Sequence, residues 1–174
     1  TKNVAMGTDS LRNNTADNNT AVGYLSLQDN TSGSENDAFG SCALYNNTTG
    51  CRNVAVGKGT MQLNTEGECN IAVGHTALSA NTTGDFNTGL GVKALNANTT
   101  ANNNTAVGFK SLGTNTTGHS NTAVGACSMF DNTEGDNNVA VGRLALANNT
   151  TACNNVAIGY DSLFTNTTGH SNTA

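Results

Sequence analysis

A seventeen-residue motif, repeated without a break, is the feature that most constrains how this chain folds. Copies open on Asn3, Asn19, Asn36, Asn53, Asn70, Asn87, Asn104, Asn121, Asn138 and Asn155, and an eleventh starts at Asn172. Successive starts lie 17 residues apart, except the first pair, which lie 16 apart. The consensus is N-[TV]-A-V-G-x-x-[AS]-L-x-x-N-T-T-G-x-x. A fixed short period over a whole sequence marks a stack of identical units, each using its neighbours to cover its core. Residues 1–174 are therefore read as one repeat array.

Reading each repeat position as a column shows what the unit is. The first position is always Asn, and the third is Ala except at Gly89. The fourth is always apolar, and the fifth is Gly in every complete repeat. The ninth is Leu, or Met at Met61 and Met129, and the twelfth and thirteenth are always Asn-Thr, from Asn14-Thr15 to Asn166-Thr167. Val, Ile and Thr at positions two and four alternate with Ala and Gly at three and five, the period-two pattern of a strand. Thr and Gly are weak helix formers, which argues against a helical hairpin. The expected fold is all-β, a parallel β-solenoid (β-roll) of ten coils spaced about 4.8 Å apart, or on the order of 45–50 Å of rod.

The alternation predicts one inward and one outward face. The branched column is expected inside: Val22, Val56, Val73, Val107, Val124, Val141 and Ile158, joined by Leu27, Leu78 and Leu112 of the ninth column. The Ala column then points outward. A solvent-facing strand has no reason to keep Ala21, Ala55, Ala72, Ala106, Ala123 and Ala140 uniformly small, so this column is expected at a chain–chain contact. The Asn columns are expected to stack into hydrogen-bonded ladders, with Asn19, Asn53, Asn104 and Asn121 in one and Asn30, Asn81, Asn98 and Asn115 in the other. Gly at positions five and fifteen suits corners of positive φ or close backbone approach.

Composition agrees with a narrow repeated core. Only 36% of residues are hydrophobic and 5% aromatic, with no Trp and no Pro, too little apolar material for a broad globular interior. The net charge of −5 is spread thinly, and the absence of a basic patch excludes a nucleic-acid partner. No apolar run is long enough to span a bilayer, so membrane insertion by this segment is not expected. The chain starts on a repeat and stops inside one without a polar cap, which predicts a slice of a longer array or a unit that stacks end to end.

The candidate chemical residues are sparse. His119 and His170 share a column but lie three coils apart, roughly 14 Å by strand spacing and too far for a shared metal; with His75 they read as surface histidines. Asp85, Asp136, Glu66 and Glu134 sit at corners without the cleft that a carboxylate pair needs. No catalytic, cofactor or metal site is expected, and the chain is not read as an enzyme. The N-T-T sequons, such as Asn81 and Asn98, are a by-product of the ladder pattern. Cys42 and Cys51, like Cys127 and Cys153, occupy the seventh and sixteenth columns, which suggests that these columns are neighbours. Tyr24, Phe109, Tyr160 and Phe164 fall at variable positions, available to stack on a receptor's sugars or to stand as ordinary surface aromatics.

The motif N-T-A-V-G-x-x-[AS]-L-x-x-N-T-T-G resembles repeats of bacteriophage tail fibres and YadA-like head repeats. It is similar to a lengthened S-V-A-I-G repeat of trimeric autotransporter adhesins, most closely at Asn155-Val156-Ala157-Ile158-Gly159. The resemblance spans all ten repeats, though the family repeat is shorter. It implies a left-handed β-roll, a parallel homotrimer and display on a virion or cell surface. The corresponding function is a structural or adhesive shaft, with a glycan or protein receptor on the host surface as partner. A self-assembling filament subunit is one alternative. An ice-binding solenoid using the Thr15-to-Thr167 column is another.

Overall fold

In a computed structural model, which describes residues 2–174, ten three-residue strands run from β1 (Val4–Met6) to β10 (Val156–Ile158). They form one parallel sheet in strict sequence order, a β-solenoid of about nine turns. Each strand covers positions two to four of its repeat, and register is kept column by column: Thr105 pairs with Thr122, Ala106 with Ala123, Val107 with Val124. The strand is bonded in both directions along the stack. The Thr105 N–H donates to the Asn121 carbonyl one coil on, and the Gly108 N–H donates to the Leu90 carbonyl one coil back, both at 2.8 Å. The first repeat is one residue short at its corner, yet Val4 still pairs with Thr20.

The inward face is the reverse of the one expected. Ala21, Ala55, Ala72, Ala106, Ala123 and Ala140 have no accessible surface, whereas Val56, Val73, Val124 and Val141 are 36–39% exposed. Val22 and Val107 are half-buried, and Ile158 is 64% exposed. The branched column is therefore not the core, and the Ala column cannot lie at a chain–chain contact, because its own coil already covers it. The physical reason lies in the parity of the strand. Residues one, three and five share a face, and the buried Asn of position one places Ala on the inner side. The ninth column does point inward as expected, with Leu27, Leu78 and Leu112 fully buried.

Ala and Leu are matched in size. A Cβ built on Gly89 would lie 3.3 Å from Leu78 Cδ1, so the Ala found in other coils already meets the Leu column tightly. The Leu column thus fills the room opposite the strand, and a branched residue at position three would have to displace it. Each Leu is held at positive φ, as at Leu112 (49°). That conformation costs a non-Gly residue about 1–2 kcal/mol. Burying the side chain returns roughly 1.5–3 kcal/mol, so packing decides.

Three columns turn in this left-handed region: the seventh, ninth and seventeenth, as at Lys110 (54°), Leu112 (49°) and Ser120 (57°). The fifth-column Gly is different, with φ of 129–140°. The fifteenth-column Gly does not use positive φ; it is small because the next coil's carbonyl passes close by, and Ala replaces it at Ala101 and Ala152.

Candidate functional surface

Two interior ladders fix the spacing of everything displayed outside. In the first column, the Asn104 N–H donates to Asn87 Oδ1 (3.0 Å), and Asn104 Oδ1 accepts from the Asn121 N–H (2.9 Å). Asn19, Asn53 and Asn121 repeat the pattern. In the twelfth column the amides bond directly. Asn98 Nδ2 donates to Asn81 Oδ1 (2.9 Å), and Asn115 Nδ2 donates to Asn98 Oδ1 (3.1 Å); Asn30 does the same with Asn14 and Asn47. The two columns meet at the fifteenth carbonyl, where the Gly118 oxygen accepts from both Asn104 (2.8 Å) and Asn115 (2.9 Å).

Among the described residues, the buried polar side-chain atoms without a partner are Gln28 Oε1 and Thr76 Oγ1, and neither belongs to a ladder. Asn98→Ala would remove three bonds, leave Asn81 Oδ1 without its donor and open a void. A loss of about 1–3 kcal/mol is expected, read as a lowered unfolding midpoint in urea. Unchanged midpoints here and at Asn81→Ala and Asn115→Ala would show that the ladder contributes nothing.

A third ladder runs up the sixteenth column, which the sequence presents as variable. The Glu68 N–H donates to Asp85 Oδ1, that of Asp85 to Asn102 Oδ1, that of Asn102 to His119 Nδ1, and that of His119 to Asp136 Oδ1, at 2.6–2.9 Å. The series continues through Cys153 Sγ and His170 Nδ1. Asp, Asn, His and Cys look unrelated, but each places an acceptor two or three bonds from Cα. His119, His170, Asp85 and Asp136 therefore serve the backbone. Among the described residues, no group of three or more His, Cys, Asp or Glu is placed to hold a metal ion. All five cysteines are free thiols, so no disulfide joins the seventh and sixteenth columns.

The Thr column is also turned to the stack. Thr99 Oγ1 donates to the Thr116 carbonyl and Thr116 Oγ1 to that of Thr133, both at 3.1 Å. These hydroxyl protons are committed to the neighbouring coil rather than to an external array.

What remains outside is an apolar ribbon. The fourth column reads Met6, Val22, Phe39, Val56, Val73, Leu90, Val107, Val124, Val141 and Ile158, all exposed or half-exposed, with the second column beside it. The candidate aromatics do not gather into one site. Tyr24, Phe109 and Tyr160 are exposed in the sixth column but several coils apart, while Phe164 is half-buried in the tenth. Arg143 lies over the Tyr160 ring, 5.5 Å from its centroid, and donates to its hydroxyl. No helix among the described residues is long and apolar enough to cross a membrane. In comparisons with known proteins, no family model, curated protein or solved structure matches the chain.

Proposed function

We propose that the chain is the shaft of an extracellular or virion surface fibre, in which parallel copies pack through the second and fourth columns and support attachment to a host or surface. The observation that carries this reading is the fourth column. It is apolar in all ten strands although it faces outward. Solvent imposes no such rule, whereas a partner does. At about 3.3 Å per residue and 4.8 Å per strand the ribbon covers on the order of 500 Å² per copy. That is the upper range of the largest patch on a typical monomer, and two such faces together reach the roughly 1,000 Å² expected of a specific interface.

A second copy is the occupant that fits best. Its ribbon has the same rise and the same side chains, so a parallel neighbour meets each coil with an identical coil. The number three comes from the resemblance to trimeric adhesin repeats. Light scattering of the unmodified chain is expected to give the mass of three copies. Val107→Glu with Val124→Glu is expected to give one copy with its β circular dichroism retained. A stable monomer for the unmodified chain would reject the assembly.

A further inference from the structure

In a molecule built of identical coils, departures from consensus that converge in space mark a place with its own task. They converge on a notch of about 170 Å³ lined by Lys93, Asn96, Lys110, Gly113, Thr114 and Phe130. We propose that this notch binds a carboxylated sugar, such as a uronate or sialate residue of a surface glycan. The inference rests on the adhesive part of the proposed function and names the ligand class.

The cavity exists because of one residue. Gly113 is the only Gly in the tenth column, between Asn96 one coil back and Phe130 one coil on. A Cβ on Gly113 would lie 2.9 Å from both Cδ2 and Cε2 of Phe130. The ring therefore leans into the room a side chain would take, and forms a wall of the notch. Its volume is below that of a drug-sized pocket, roughly 300–1,000 Å³, and suits a single terminal sugar.

The charge is as localised as the space. Lys93 and Lys110 are the only lysines of the seventh column, and they stand in consecutive coils. Both have left-handed backbone geometry, with φ of 60° and 54°, so the two ammonium groups leave the same corner about 4.8 Å apart at their origins. Among the described residues, neither has an acidic side chain at ion-pair distance. Lys110 Nζ lies over Phe109 and Phe130, 5.3 and 5.6 Å from the ring centroids, which holds it at the rim by cation–π attraction. Two unpaired cations on a chain of net charge −5 are suited to one anion.

The remaining groups distinguish a sugar acid from a bare anion. Asn96 Nδ2 is committed to the Thr76 carbonyl (3.0 Å) and Ser79 Oγ (2.7 Å), leaving Oδ1 as an acceptor. The Thr114 hydroxyl proton is committed to the Phe130 carbonyl (2.7 Å), leaving its lone pairs. Acceptors repel phosphate or sulfate oxygens but receive the hydroxyl protons of a sugar. The Phe130 ring adds an apolar wall for the C–H face of the pyranose. Cations, acceptors and an aromatic wall together match a carboxylated saccharide. The seventh and tenth columns carry the notch, so it stays open when the second and fourth columns are covered.

The test is calorimetric and NMR titration of the full chain with glucuronate oligosaccharides and with N-acetylneuraminic acid. Methyl glucoside, inorganic phosphate and a tetra-glutamate peptide serve as comparisons. Saturable binding of at least one acidic sugar is expected, with shifts at Lys93, Lys110 and Phe130. Lys93→Gln and Lys110→Gln should each weaken it about tenfold. Phe130→Leu should weaken it while leaving the melting temperature close to that of the parent, and Gly113→Ser should abolish it. Equal binding of methyl glucoside, tighter binding of phosphate or of the peptide, or no binding of either acidic sugar would each overturn the proposal. None of these results alters the mass of the unmodified chain, so the shaft reading stands or falls separately.

Discussion

Ala106→Glu is expected to break the array at its seventh coil, whereas Val107→Glu, one residue along, leaves the coil folded. Ala106 has no accessible surface and faces the Leu column across an apolar interior. A carboxylate placed there meets no cation, and leaving a charge buried and unpaired costs several kcal/mol. The added volume costs a further ~1–3 kcal/mol. Each coil touches only its neighbours, so the damage stays local and separates the rod into two shorter stacks. Limited proteolysis should then cut near residue 106, with part of the β circular dichroism lost. Val107 already faces outward, and a Glu there is solvated in the separated chain. A tolerated Ala106→Glu beside an unfolded Val107→Glu would show that the face assignment is inverted.

Gly108→Ala is the second change with a large expected effect. Its φ is 130°, where an L side chain is strained, and the new Cβ would lie 2.6 Å from the Gly125 carbonyl oxygen of the next coil. Backbone strain and forced separation of the coils together predict a loss of about 3–5 kcal/mol. Two controls separate the causes. Gly159→Ala has the same φ but nothing within 4 Å, so only the strain of about 1–3 kcal/mol remains. Gly118→Ala tests the close approach without the strain, since its φ is not positive. The new Cβ would lie 2.5 Å from the Gly135 carbonyl oxygen, a crowding the stack already absorbs at Ala101 and Ala152, so a loss of about 1–3 kcal/mol is expected. Equal melting temperatures for all three variants would remove close coil approach as the reason for the fifth-column Gly.

The period, the strand positions and the Asn columns were legible in the sequence because each is a repeated identity with one physical meaning. The face assignment was not. Alternation states which residues share a side, and the larger group was assigned to the core on hydrophobicity alone. The deciding clue was Asn104, two residues before Ala106: an amide that must stack cannot point to water, and parity carries Ala106 with it. The turns at Lys110, Leu112 and Ser120 carried no local signal, since Lys and Leu disfavour positive φ and are held there by the stack. The sixteenth-column ladder was hidden for another reason. It selects an acceptor at a given distance from the backbone, which Asp136, His119 and Cys153 all provide. The Gly113 notch shows only when the tenth column is set beside the seventh, because its walls come from three different coils.

The twelfth-column amides also give the rod a direction. From Asn30 to Asn166 every Nδ2 donates toward the N-terminal neighbour, and every accepting Oδ1 faces the other way. Amide dipoles of about 3.5 D thus lie head to tail like a row of aligned magnets. Flipping one amide would set oxygen against oxygen on one side and NH₂ against NH₂ on the other, so the row reverses as a whole or stays as it is. One end presents donors and the other acceptors. Coils can extend such a row only in one sense, and a rod laid beside another distinguishes up from down along its whole length.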